Sequence, residues 1–263
     1  MLNIKDIRDL LNLPNQELVG KLKDLDSKTL MYRVIPSLVM EIMEKYFRLE
    51  VEGLENIPKK GKAIFSPNHS GYSGFDALML AHEVQKITGR TPRVLTHKFW
   101  FLSPATAIPM NKLGFIDATR ENALMTLKKH QQILLFPEGE YGNFKPSVEA
   151  YQLQEFKRGF VRAAVETGAP IVPTIVIGAE ETHINLSQLK LTKYLRGVVL
   201  PIPLNVIPLP ARWKIIFMEP ITLPYKPSAA KDKELMHEAA EDVREIMQRR
   251  INLELKKRDS VYL

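Results

Sequence analysis

The sequence predicts an α/β fold: a mostly parallel central sheet flanked by helices, with a helical segment ahead of it. Three observations carry that expectation. From residue 48 onward, short apolar strands alternate with helical periods, the pattern of a sheet whose strands are joined by crossover helices. Several strands, such as QILLF (132–136) and IVPTIVIGA (171–179), are unbroken apolar runs that read as buried. The 263 residues suffice for one sizeable domain plus a helical annex. The division expected is an N-terminal helical segment over 1–48 and the α/β domain over 49–263.

The elements follow in order. Residues 1–30 place Ile4, Ile7, Leu10 and Leu11, then Leu18, Leu22 and Leu25, at helical spacing, and read as two short helices broken near Pro14. LMYRVIPSLVMEIMEKYFR (30–48) has the period of an amphipathic helix with Pro36 near its start, and its apolar face suits either a core or a membrane. RLEVEGL (48–54) alternates as a strand, and AIFSP (63–67) is a second. Helices are expected over 76–85, 120–129, 156–167 and 231–258, the third stopped by Gly168. RVLTH (93–97) and WKIIFMEPI (213–221) complete the strands.

Composition narrows the chemistry. The absence of cysteine excludes a disulfide framework, a thiolate metal site and a cysteine nucleophile, and suits the cytoplasm. The formal charge of +7 fits an anionic partner: lipid, a phosphorylated substrate or nucleic acid. No recognised nucleic-acid module accompanies that charge, so no nucleic acid is expected. The N-terminal stretch is charged and lacks the apolar run of a secretory signal.

Two polar motifs stand where an apolar strand has just ended, the place where parallel sheets put their sites. The first is SPNHSGYSGFD (66–76). An imidazole can take a proton from a hydroxyl near neutral pH, which makes His69 a candidate base, while a carboxylate on its other nitrogen would fix its tautomer. Gly71 and Gly74 ease a turn that would bring Asp76 back to it. A hydrogen-bonded loop histidine and a helix-capping aspartate fit the same residues. The second motif is FPEGE (136–140), where Gly139 permits close backbone approach. His82, His130, His183 and His237 show no metal-ligand spacing, and no metal is expected.

In order, Asn68-His69 with Asp76, GFIDATREN (114–122), FPEGE and the IVPTIVIG strand resemble the glycerolipid acyltransferase superfamily over roughly residues 50–225. The run YQLQEFKRGFVRAAVETGAPIVPTIVIGAEET (151–182) looks like a bacterial branch of it with a longer His-to-Asp loop. The resemblance implies O-acyl transfer from acyl-CoA or an acyl carrier protein to a hydroxyl of a lysophospholipid or other glycerolipid. It makes His69 the general base and Asp76 its partner. It assigns substrate binding to Asn68, Lys98, Arg120, Phe136, Pro137, Glu138, Gly139 and Glu140. The thioester is a co-substrate, and no cofactor is implied. A non-catalytic lipid-binding module on the same fold is the alternative.

Three departures from the family pattern bear on the acceptor. Six residues separate His69 from Asp76, two more than usual. Glu140-Tyr141 stands where the family continues Thr-Arg, which tilts the expectation away from a phosphorylated acceptor. Arg120 lies two positions further along than its usual counterpart, with Lys98, Lys157 and Arg158 as alternative cations.

No run reaches the roughly 18 apolar residues of a spanning helix. A peripheral, monotopic association with the inner face of the cell membrane is therefore expected. GVVLPIPLNVIPLPA (197–211), rich in proline and flanked by Lys193, Arg196 and Arg212, reads as an extended apolar loop suited to an anionic surface. FWFLSPATAIPM (99–110) reads as the lining of an acyl groove or as core.

Overall fold

The computed structural model describes residue 9 and residues 13–70, 73–191 and 198–262. Nine strands are present among them: β1 (Glu50–Glu52), β2 (Ala63–Pro67), β3 (Arg93–Thr96), β4 (Phe115–Asp117), β5 (Gln132–Leu134), β6 (Ile171–Ile177), β7 (Asn185–Leu191), β8 (Val198–Pro203) and β9 (Lys214–Phe217). Seven of them make one sheet in the order β1-β9-β6-β2-β5-β3-β4. β2 is central, parallel to β5 through Phe65↔Leu134 and to β6 through Ile64↔Ile171. β3 and β4 continue the parallel set. β9 runs antiparallel to β6, and β1 is parallel to β9, so two strands at one edge point the other way.

Seven longer helices follow in chain order: α1 (Asn15–Lys23), α2 (Ile35–Tyr46), α3 (Phe75–Thr88), α4 (Pro104–Lys112), α5 (Arg120–Lys128), α6 (Gly159–Thr167) and α7 (Lys233–Lys257). Strand alternation explains the layers. Ile64, Ile133, Ile171, Ile175 and Ile216 pack with α5, α6 and α7. Their neighbours Phe65, Leu134, Val172, Val176 and Ile215 pack with Met40 of α2 and Met79, Leu80 and Val84 of α3. The sheet is thus covered on both faces, which is why its strands read as unbroken apolar runs.

Several expectations need correction. The helix expected over 30–48 is regular only from Ile35. Pro36 has no N–H for the carbonyl four residues back, and the preceding turn, Leu30–Val34, widens to a π-helix in which Ile35 donates to Leu30 O. The apolar loop expected over 197–211 contains a strand: β8 pairs antiparallel with β7 outside the main sheet. Pro201 and Pro203 are tolerated because β8 is an edge strand. Of the basic flank named for that loop, Lys193 and Arg196 lie outside the described residues. The segment 99–110 is not core. It forms a 3₁₀ turn (Lys98–Phe101) and α4, with Phe99, Trp100, Leu102 and Ile108 exposed. The first of the two N-terminal helices expected lies mostly outside the described residues, and the second is α1.

Candidate active site

The residues singled out by the two motifs collect at the carboxyl ends of β2 and β5. Asn68 follows β2 and is fully buried. Its Nδ2 donates to Val176 O at 3.0 Å, and its Oδ1 accepts from Val176 N at 2.7 Å. This side chain continues the β2–β6 ladder and fixes where the chain leaves the sheet. Its amide is engaged with backbone rather than turned to a substrate.

His69 comes next. The N-cap of α3 is Gly74, in the left-handed region with φ 72° and no side-chain cap bond, so Asp76 lies inside the first turn and does not cap it. The Asp76 carboxylate accepts from Ser70 N (3.0 Å) and Ala77 N (2.7 Å), and its Oδ2 lies 2.6 Å from His69 Nδ1. A carboxylate only accepts, so Nδ1 carries a proton, and in the neutral imidazole the lone pair is then on Nε2. The two extra loop residues therefore do not part the pair. Gly71 lies outside the described residues.

The second motif locks the first. The His69 ring stacks on Phe136, with centroids 3.7 Å apart and planes 20° from parallel. His69 N donates to Glu138 Oε1 at 2.9 Å, and Gln154 N donates to Glu138 Oε2 at 2.8 Å. Glu138 is 1% exposed, so its carboxylate clamps two backbone segments. Pro137 O accepts from Lys157 N at 2.9 Å. Gly139 has φ 60° and ψ −144°, a region closed to other residues, and a Cβ there would lie 2.7 Å from Lys157 Nζ. Glu140 pairs with Lys157 at 2.9 Å. Burial pushes its carboxyl up, but its own backbone N–H, Lys157 and His97 outweigh that and hold it below the usual range.

Beneath the clamp is a buried network that no motif announced. Lys145, 6% exposed, lies 3.0 Å from Glu180 and 3.8 Å from Glu138. Glu180 also accepts from Tyr151 N at 2.9 Å. The signal available was weak: GAEET follows an apolar strand, as the two read motifs do, whereas Lys145 sits in an irregular stretch between Phe144 and Pro146. Burial outweighs the attraction of Lys145 and raises the Glu180 carboxyl to about 7. The folded chain then binds that proton more tightly than the unfolded chain. The resulting stability is present below about pH 4.5 and is lost as pH rises toward 7, a span on the order of 3 kcal/mol. Denaturant titrations at pH 5 and pH 8 are expected to show this loss in the wild type and a flatter profile in Glu180→Gln.

Two expected site residues stand apart. Arg120 is exposed and held by Glu166 through hydrogen bonds of 3.3 and 2.6 Å. Lys98 is exposed on its 3₁₀ turn. Among the described residues neither is bonded to the His69 cluster.

This geometry invites comparison with known proteins. Residues 48–177 match the Acyltransferase family, a span that takes in both motifs and all ten expected site residues. The chain belongs to the glycerolipid acyltransferase superfamily. It is 36% identical over 228 residues to an uncharacterised protein of Mycobacterium tuberculosis, covering 82% of this chain and 64% of that one. The chain thus spans just under two thirds of that relative's length. A 1-acyl-sn-glycerol-3-phosphate acyltransferase of Pseudomonas aeruginosa is 29% identical over 129 residues, 48% of each chain. The fold is that of the 1-acyl-sn-glycerophosphate acyltransferase PlsC from Thermotoga maritima. That match has a TM-score of 0.58 at 19% identity and covers 92% of this acyltransferase-family chain and 88% of PlsC.

Proposed function

We propose that this chain is an O-acyltransferase that moves a fatty acyl group from acyl-CoA or an acyl carrier protein to a hydroxyl of a lysophospholipid or other glycerolipid. The observation that carries this reading is the 2.6 Å contact between His69 Nδ1 and Asp76, on an imidazole whose backbone and ring are both held by the FPEGE turn. Nε2 takes the acceptor's hydroxyl proton as that oxygen attacks the thioester carbonyl. The tetrahedral intermediate collapses, the carbon–sulfur bond breaks, and the departing thiolate takes the proton from the imidazolium, which releases the free thiol and restores the base. Asp76 stabilises the imidazolium between the two transfers.

Substrate placement follows from the same edge of the sheet. An open cleft of about 490 Å³ beside Gly139 is lined by Lys157, Arg158 and Arg162 together with Glu155 and Glu234, and its three cations exceed its two carboxylates, which suits a phosphate of donor or acceptor. β3 and β5 are parallel neighbours, so the exposed Phe99, Trp100 and Leu102 that follow β3 leave the sheet at the same end as the FPEGE turn, a side from which an acyl chain would approach. Leu204, Val206 and Ile207 form a second exposed apolar stretch, with Val206 79% and Ile207 80% exposed. Among the described residues no helix is long and apolar enough to cross a membrane. Peripheral contact through these two stretches at the inner face of the cell membrane is the arrangement we favour.

The test is product analysis. Purified chain is supplied with palmitoyl-CoA or acyl-loaded carrier protein and with lysolipids and monoacylglycerols in anionic vesicles, and thiol release and ester products are followed by mass spectrometry. A new ester that His69→Ala fails to make is the expected result. Lipid binding without turnover by any donor would favour the non-catalytic module. Equal turnover by His69→Ala would sink the mechanism. Val206→Ser with Ile207→Ser is expected to retain turnover on detergent-dispersed acceptor and lose binding to vesicles.

A further inference from the structure

The buried network beneath the clamp borders a small polar cavity of about 20 Å³. Ser70, Asn143, Lys145, Glu180, His183 and Asn185 are among the residues that line it. Ser70 comes from the loop that joins His69 to Asp76. Asn143 ends the short helix Glu140–Asn143 that follows the FPEGE turn. Gly142 lets that helix come close, because a Cβ there would lie 2.5 Å from Glu138 Cβ.

The lining holds polar atoms that the chain itself does not match. Ser70 is 2% exposed, and its Oγ has no hydrogen-bond partner among the described residues. Asn143 Oδ1 is likewise buried and unmatched. Glu180 Oε1 lies 3.0 Å from Lys145 Nζ, close enough for an ion pair but not aligned as a hydrogen bond. Lys145 has three N–H donors, and Gln152 O takes one of them at 3.2 Å. Asn185 is fully engaged and serves as wall: its Nδ2 donates to Phe144 O and Lys145 O, and its Oδ1 accepts from Ile202 N.

Buried hydroxyl and amide oxygens in folded proteins are bonded to protein or to ordered water, because leaving them unmatched is destabilising. A cavity holds a water when it offers at least about 10–15 Å³ and two to four polar partners. This cavity meets both conditions. Its mixed lining favours water over an ion. A cation would meet the Lys145 ammonium, and an anion would meet Glu180 and the Asn143 oxygen. A water both donates and accepts, and the partners divide accordingly. Lys145 donates, Asn143 Oδ1 accepts, Glu180 Oε1 accepts when ionised, and the Ser70 hydroxyl does either.

We propose that one water molecule is bound between Ser70 Oγ, Asn143 Oδ1, Lys145 Nζ and Glu180 Oε1, and that through it Ser70 and Asn143 act as positioning residues for the His69–Asp76 pair. The second half rests on the catalytic reading of that pair given above. Ser70 N donates to Asp76 Oδ2 at 3.0 Å, the same oxygen that lies 2.6 Å from His69 Nδ1. Ser70 therefore grips the carboxylate with its backbone and the water with its side chain. The water carries that anchor across to Asn143 and to the Lys145–Glu180 pair, so the loop is fastened from beneath as well as by Glu138.

Two measurements test this. A crystal structure of the wild-type chain, sharp enough to show ordered water, is expected to place one in the cavity within hydrogen-bond distance of Ser70 Oγ and Asn143 Oδ1. It needs no variant to fold. Clear density for the lining side chains with no water between them would overturn the site. In proton NMR the His69 Nδ1 proton, held in a short bond to a carboxylate, is expected far downfield. Ser70→Ala and Asn143→Ala should each shift or broaden that resonance and lower kcat about 10–100-fold, the cost of a slightly misplaced catalytic group, while KM holds. Melting curves give the folded fraction of each variant. A resonance unmoved in both variants, with kcat lost only in step with unfolding, would overturn the positioning role. Wild-type turnover by His69→Ala would overturn that role together with the catalytic reading, whereas the water in the resting chain tests the site independently of turnover.

Discussion

Asp76→Asn is expected to lower kcat by about 10³–10⁴-fold with little change in KM, on the precedent of carboxylates that orient a catalytic imidazole. The reason lies in the proton on Nδ1. Asp76 accepts it at 2.6 Å, which leaves Nε2 free to receive the acceptor's proton. Ala77 N donates to Oδ1, whereas Ser70 N and His69 Nδ1 share Oδ2, so an asparagine that kept its oxygen toward Ala77 N would turn its NH₂ to Nδ1. The imidazole would then carry its proton on Nε2, where the base is needed. Thiol release under saturating donor and acceptor reads the loss. Circular dichroism and a melting curve separate it from unfolding, since the amide retains part of the backbone bonding. Undiminished kcat in a folded Asp76→Asn chain would remove Asp76 from the mechanism.

Lys145→Met is expected to cost about 3–5 kcal/mol of stability, the range for removing one partner of a buried ionic group. Lys145 is the cation between Glu138 and Glu180, and all three are buried. Without it two carboxylates remain in a low-dielectric space with only backbone donors. Glu138 also clamps His69 N, so turnover should fall with stability. Urea titration at pH 8.5, above the value of about 7 to which the Glu180 carboxyl is raised, measures the first effect. Adding Glu180→Gln to the variant should recover part of the loss by removing one stranded charge. A loss below about 1 kcal/mol would show that the network is not held by this ion pair.

These two residues mark how far the sequence could be read. Asp76 and His69 are seven positions apart, at a strand end and a helix start; that pattern allowed the pair but fitted a loop histidine and a capping aspartate as well, and the resemblance to the family was what joined them. The FPEGE turn was legible as a motif, but the direction of its glutamate was not. Glu138 turns to His69 N, 69 positions away, because β5 and β2 are neighbours, and strand order is not written in spacing. Lys145 reads as one more lysine in an irregular stretch and gains meaning only from the two carboxylates that surround it. The strand β8 was read as a loop because four prolines forbid a helix, whereas an edge strand accepts them. Arg120, chosen for its place beside the second family motif, is drawn to Glu166 because α5 and α6 lie side by side.

The central position of β2 has a consequence for how the molecule comes into being. On the ribosome, His69 and Asp76 emerge together. The groups that hold them in place come later: Glu138 is 69 positions behind His69, and Val176 is 108 behind Asn68. A nascent chain that ends near residue 130 carries the imidazole and its carboxylate but neither fastening. The pair becomes a rigid unit only when β5 and then β6 slot in on either side of the strand that bears it. Translation therefore keeps the base loose until the sheet around it has been laid down.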